Sequence, residues 1–320
     1  MRLLALRLSA LGDVIHTIPA VIALREAGAD VSWVVEAPYA EMVEIVSGAR
    51  PVRVSMKTWG RRFMASRPAM RSARLEMRGH DASVDFQGLV KSAVLGWLSR
   101  SPVRYGFDRA AVRERASLMF TNKHVAVDLN AHVIEMNLHL ASAVIPSRED
   151  GEGSPAHKRA SSGRGGSLAT LGMTAHWERF LATGFDPYRG KVVLLPGAGK
   201  ANKQWPVERF AEVAKKLGDR ALAVWGPNEE ELARAIGAPM APRTNLRELA
   251  TILKLAEVVI AGDTGPLHLA AALGTRVIGL YGPTNPRRNG PYGQLENVIS
   301  TWDGSRSMEG IEVGAVMKSL

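Results

Sequence analysis

Residues 259–273 read VIAGDTGPLHLAAAL. A hydrophobic, β-branched run meets Gly262, Asp263, Thr264 and Gly265, and an Ala-rich helical pattern follows, with Pro266 in the first turn, where a missing N–H is tolerated. Strand, tight loop and helix in that order form the repeating unit of a parallel sheet. The same order recurs on both sides. Val192–Leu195, Ala221–Val224, Val258–Ile260 and Val277–Leu280 read as strands, and 207–217, 229–236, 246–255 and 266–273 as helices. In the first half, 2–8, 31–35 and 82–85 read as strands, and 14–27, 39–46, 61–78, 89–99 and 130–144 as helices. The expected class is therefore α/β, with two Rossmann-like, doubly wound domains in series.

A length of 320 residues supports the same division, at roughly 150 residues per domain, and 46 % hydrophobic content is enough to bury a core in each. Between the two patterns, SREDGEGSPAHKRASSGRGGS at 147–167 is nearly free of large apolar groups and is expected to be a mobile surface segment. The expected boundaries are a first Rossmann-like domain at 1–150, a flexible linker and inter-domain segment at 151–190, and a second Rossmann-like domain at 191–320. The tail from about 309 to 320 reads as weakly helical. The chain has no cysteine, which excludes disulfide scaffolds, Cys-ligated zinc and thiol nucleophiles. Arg7, Asp13 and His16 interrupt the apolar N-terminus, so it does not read as a signal peptide. Cytoplasmic or peripheral placement is the expectation.

Charge is unevenly spread. The chain carries 41 Lys and Arg against 31 Asp and Glu, and the window 53–78 alone holds eight basic residues against Glu76, a net of +7. Arg67, Arg71, Arg74 and Arg78 recur at spacings of four, three and four, one face of a helix, without acidic partners. A polyanionic partner follows. Nucleic acid is disfavoured because no interleaved aromatics or zinc spacing accompany the charge.

In an open parallel sheet, ligands bind beyond the carboxyl ends of the strands, where helix N-termini present free N–H groups. Four loops fall there. Ser9–Asp13 lacks both the dinucleotide and the P-loop glycine patterns but offers a carboxylate, Asp13, with His16 one turn on. Gly262–Gly265 permits close backbone approach, and Asp263 there suits sugar hydroxyls while the helix start suits a diphosphate. Residues 196–206, PGAGKANKQWP, carry Lys200 and Lys203, compact cations fit for phosphate. Residues 225–231, WGPNEEE, put Glu229 where a ribose could be held. Either aspartate could instead be an ordinary helix N-cap. No His pair with metal-ligand spacing and no nucleophile elbow is present.

RLSALGDVIHTIPA (7–20), DFQGLVKSA (85–93), RERASLMFTNKH (113–124), KQWP (203–206), GDTGPLHLAAALG (262–274) and LYGPTNP (280–286) together resemble glycosyltransferase family 9, and within it the lipopolysaccharide inner-core heptosyltransferases. The match runs collinearly along nearly the whole chain. The resemblance implies a GT-B architecture, two Rossmann-like domains facing across a cleft, with 1–150 binding the acceptor and 191–320 the nucleotide sugar. It implies metal-independent transfer, with inversion, of L-glycero-D-manno-heptose from ADP-heptose to Kdo of lipid A at the inner face of the inner membrane, without a cofactor and with no nucleic-acid partner. It assigns Asp13 as catalytic base, Lys203, Glu229, Asp263, Thr264, Gly265 and His268 to the donor, and Arg61, Arg62, Lys91 and Arg113 to the acceptor. The chain departs from the family pattern at Met136 and Asn137, where an acceptor-binding arginine is usual, in the glycine-rich 196–199, and at Thr244.

Overall fold

The computed structural model describes residues 1–145 and 174–320. The chain divides into two compact units, Met1–Arg164 and Gly165–Leu320. The expected mobile segment at 147–167 lies outside the described residues.

The first unit is built on six strands, β1 (Arg2–Leu6), β2 (Asp30–Glu36), β3 (Arg50–Val54), β4 (Ala82–Asp85), β5 (Val103–Phe107) and β6 (Lys123–Val125). All pairs are parallel, and the order is β3-β2-β1-β4-β5-β6. The chain starts in the middle of the sheet, winds outward to β3, then returns to place β4 on the other side of β1. Its carboxyl edge therefore opens between β1 and β4, the point where the winding reverses. Central strands buried on both faces are near-continuous apolar runs, and Leu3, Leu4, Ala5 and Leu6 of β1 are almost wholly enclosed. The edge strands differ: Arg50–Val54 carries Pro51 and two arginines, as an edge permits.

The expected single helix at 14–27 is two, Leu11–Ile15 and Ile18–Glu26. Pro19 has no N–H and its ring clashes with the carbonyl four residues back, so the helix restarts there. The expected helix at 61–78 likewise divides at Arg62, whose φ of −127° and ψ of 51° are not helical, giving Met56–Arg61 and Phe63–Glu76. Arg78 falls just beyond the second of these.

The second unit holds β7 (Val192–Leu195), β8 (Ala221–Ala223), β9 (Val258–Gly262), β10 (Arg276–Tyr281) and β11 (Val298–Ser300), again all parallel, in the order β11-β10-β9-β7-β8. Counted from its own first strand this is 2-1-3-4-5, the other common doubly wound order, whose winding reverses between β7 and β9. The helices Val207–Leu217 and Leu246–Leu255 lie where the periodicity predicts.

Two segments that sequence left loose are tied to this unit. Residues 174–190, expected as linker, anchor through Trp177 and Phe180, both 1 % exposed, with Arg247 Nε donating to the Phe180 carbonyl (3.1 Å) and the Ala182 N–H to Thr251 Oγ1 (2.7 Å). The C-terminal helix Val313–Lys318 packs on Val207–Leu217, with Trp205 Nε1 donating to the Ile311 carbonyl at 3.0 Å.

Candidate functional site

Both reversal points carry the residues of interest. In the first unit, the chain leaves β1 through Arg7 and reaches Asp13, the third residue of the helix Leu11–Ile15. Asp13 caps nothing: Ala10 is the N-cap, and the Asp13 carboxylate turns to two guanidinium groups instead. Arg7 Nη2 donates to Oδ1 at 2.5 Å and Arg113 Nη2 to the same oxygen at 3.0 Å. Among the described residues, Oδ2 receives only a long contact of 3.4 Å from Arg113 Nη1. The two cations differ in kind. The Arg7 side chain is 2 % exposed and also donates to the Phe86 carbonyl, whereas that of Arg113 is 44 % exposed. Burial pushes the Asp13 carboxyl up, but the charges of Arg7 and Arg113 outweigh it and hold the group below its ordinary value.

Behind Arg7 lies the loop that follows β4. Asp85 is buried, accepts the N–H groups of Gln87 (2.9 Å) and Gly88 (3.1 Å) on Oδ1 and the Ser92 hydroxyl on Oδ2 (3.0 Å), and is pushed up to about 6 by burial. Gln87 Oε1 accepts the Leu8 N–H at 2.9 Å, stitching the ends of β1 and β4 together. Arg7 and Asp85 carry no assignment from sequence. The signal in the sequence is Arg7 among the apolar residues of 3–8, six residues before Asp13.

Of the expected acceptor residues, only Arg113 reaches Asp13. Lys91 is exposed on the helix Val90–Leu98 and acts on Glu36, at the end of β2, through its charge. Arg61 and Arg62 are exposed where the helix Met56–Arg61 ends, with no hydrogen bond or ion pair to Asp13 or Arg113. Positions 136 and 137, where the family pattern lapses, face inward. Asn137 is fully buried and its Nδ2 donates to the His16 carbonyl (3.0 Å) and Thr17 Oγ1 (3.3 Å), bracing the joint between the first two helices.

In the second unit, Lys203 follows β7 and Asp263 follows β9, so the reversal point brings together residues sixty apart. Lys203 Nζ donates to Asp263 Oδ2 at 2.6 Å, and His268 Nε2 lies 3.1 Å from Oδ1. Burial raises the Asp263 carboxyl, yet the hydrogen bond and charge of His268, then those of Lys203, override it and bring the group to about 2. Asp263 is no cap either, since Thr264 holds that place before the helix Gly265–Ala272. The close approach needs glycine: a Cβ on Gly262 would stand 2.8 Å from the Lys203 carbonyl. Thr264 Oγ1 and Thr284 Oγ1 are buried on neighbouring strand-end loops without a partner among the described residues, an arrangement that suits a polar ligand. Thr284 also carries no assignment from sequence.

Glu229 does not cap the helix Glu230–Ala235 by side chain; its Oε2 accepts the Gly226 N–H at 2.8 Å. The carboxylate stands over Gly197, where a Cβ would overlap it. Glu229 therefore spans the loops after β7 and β8, beside the Lys203 loop but outside the Lys203–Asp263–His268 cluster.

Each sheet thus carries a cation-held carboxylate at its reversal point, the place where doubly wound α/β proteins bind their ligands. The chain belongs to the family described as glycosyltransferase family 9 (heptosyltransferase), whose model matches residues 70–309. It is similar to lipopolysaccharide heptosyltransferase 1 of Escherichia coli K12, 31 % identical over 316 residues that cover 93 % of each chain. The corresponding protein of Pseudomonas aeruginosa PAO1 is 31 % identical over 318 residues, covering 92 % of this chain and 82 % of that one. Among solved structures, E. coli heptosyltransferase WaaC with ADP superposes with a TM-score of 0.80 at 27 % identity, covering 99 % of this chain and 98 % of that one. The same enzyme with ADP-2-deoxy-2-fluoro heptose gives 0.77 at 26 %, with the same coverage.

Proposed function

We propose that this glycosyltransferase moves L-glycero-D-manno-heptose from ADP-heptose to Kdo of lipid A, with inversion and without a metal ion, as a peripheral protein at the cytoplasmic face of the inner membrane. The observation that carries the reading is the Lys203–Asp263–His268 cluster at the reversal point of the second sheet, beside the start of the helix Gly265–Ala272. The ADP and the fluorinated ADP-heptose named with E. coli WaaC support the choice of donor.

In this reading the acceptor hydroxyl attacks the anomeric carbon as the bond from that carbon to the diphosphate oxygen breaks. Bond formation opposite the leaving group inverts the centre, the electron pair departs with ADP, and the hydroxyl proton passes to Asp13. Oδ2 is the oxygen for that proton, because Oδ1 already accepts from both arginines. A carboxylate held below its ordinary value is a weak base, so the proton moves late, after most of the negative charge has reached the diphosphate. Lys203 meets that charge. One of its three donors is spent on Asp263, leaving two for phosphate oxygens. The free Gly265 and Leu267 N–H groups at the helix start add to the same field, since Pro266 has none. Gly265, Thr264 and Glu229 complete the donor contacts, while Arg61, Arg62, Lys91 and Arg113 attract the carboxylate and phosphate groups of the acceptor.

A donor panel tests the assignment. With a Kdo-bearing acceptor, ADP-heptose is expected to be consumed at least about a hundredfold faster than ADP-mannose or any UDP-sugar, as the loss of fitted hydroxyl contacts requires. Equal rates with another nucleotide sugar would replace heptose by that sugar. Excess EDTA is expected to leave the rate unchanged, and rescue by added magnesium would transfer the role of Lys203 to a cation.

A further inference from the structure

The helix Phe63–Glu76 packs on the first sheet by one narrow face. Ser66, Ala73 and, just past its end, Met77 are buried, with Met70 partly so, against Val52, Val54 and Trp59. At 100° per residue, the opposite pole of the helix is occupied by Met64, Pro68 and Leu75. That pole is apolar yet open: Met64 is 70 % and Leu75 58 % exposed. Arg67, Arg71 and Arg74 form a row along one flank of this ridge, all exposed. None of them makes an ion pair with an acidic group among the described residues, and Glu76, the one acid on the helix, accepts from Ser72 at 3.0 Å.

An outward ridge of hydrocarbon beside unpaired guanidinium groups is the pattern of a helix that lies in the plane of a lipid interface. Its apolar pole reaches below the headgroups, and the arginines stay level with lipid phosphates. We propose that the outer face of the helix Phe63–Glu76 docks the protein on an anionic bilayer. A nucleic acid matches the charge but offers nothing to Met64 and Leu75. The chain reaches this helix from the carboxyl end of β3 by way of the helix Met56–Arg61. No helix among the described residues is long and apolar enough to cross a membrane, and an interfacial face requires none. The inference rests on the lipid-borne acceptor of the proposed function for its purpose, but its physical content is testable without turnover.

The test is co-sedimentation of the full chain with phosphatidylcholine vesicles, with and without phosphatidylglycerol, for the wild type, R67E/R71E/R74E and M64S/L75S. The wild type is expected to sediment only with the phosphatidylglycerol vesicles. Charge reversal is expected to lower the partition coefficient at least about tenfold, and M64S/L75S to lower it severalfold with charge unchanged. Both variants are expected to keep wild-type circular dichroism and wild-type turnover on a water-soluble Kdo acceptor. Equal sedimentation with both vesicle types, or of either variant and wild type, overturns the proposal. So does binding of a duplex or single-stranded oligonucleotide, abolished by charge reversal, in place of vesicle binding. Failure of wild-type turnover on the soluble acceptor would instead count against the transferase assignment and leave this surface standing.

Discussion

At Asp13 two guanidinium groups share one carboxylate, and the division of labour between them can be measured. Arg7 is buried and fixed by the Phe86 carbonyl, while Arg113 reaches in from an exposed position. In the proposed reaction Asp13 is the base and must be ionised, so activity is expected to be lost as pH falls through its pKa. Both arginines lower that pKa. Arg113→Ala is therefore expected to move the acid limb of the kcat/KM profile to higher pH, and an unmoved limb would deny the coupling. Asp85 gives a stability prediction of opposite sign. Its folded carboxyl titrates at about 6, above an unfolded value of about 3.9, so the folded state binds the extra proton and stability falls as pH rises between the two. Asp85→Asn keeps acceptance from Gln87 and Gly88 and is expected to flatten the Tm against pH curve across that window; an unchanged slope would place the titration elsewhere. On the donor side, Lys203→Ala is expected to raise the Kd for ADP roughly 10- to 100-fold, the loss of a charged hydrogen bond, as read by calorimetry. Asp13, Lys203 and Asp263 were legible because each follows a readable strand. Arg7 and Asp85 were not, since their partnership depends on β1 lying beside β4, a pairing between residues 79 apart that no local pattern encodes.

Among the elements, legibility followed burial. Strands enclosed on both faces, such as Val192–Leu195 and Ala82–Asp85, read directly from their apolar runs. Lys123–Val125 and Val298–Ser300 are three-residue edges with exposed positions, and Arg50–Val54 mixes proline and arginine into its alternation, so none carries a local signal. Helix joints at Pro19 and Arg62 were masked by continuous periodicity on either side. Where elements meet at a site, packing sets the tolerance. Gly262→Ala would drive a Cβ into the Lys203 carbonyl, and the backbone there cannot swing aside as a side chain would. The variant is expected to lose about 1–3 kcal/mol of stability by overpacking and to bind ADP more weakly, read by thermal melting and calorimetry. Wild-type values in both would show that the β9 and Lys203 loops are not in register with each other's chemistry.

For the whole molecule, the α/β class, the two parallel sheets and the family were all legible, because collinear motifs placed at strand ends specify more than any one of them. The attachment of residues 174–190 and of the C-terminal helix to the second unit was not, since both depend on single buried side chains such as Trp177 and on carbonyl acceptors such as that of Ile311. The basic window was legible as charge but not as geometry: its apolar ridge emerges only once the inward face of the helix is known. The proposed reaction draws on both units: the first would supply the base and the cations for the acceptor, and the second the grip on the leaving group. Asp13→Asn tests that claim most directly, with ADP binding followed by calorimetry and heptose transfer to a Kdo-bearing acceptor followed by product formation. The Kd for ADP is expected to stay unchanged while turnover falls roughly 100- to 10,000-fold, the usual contribution of a positioned base; a folded variant that transfers heptose at the wild-type rate would contradict the role of Asp13.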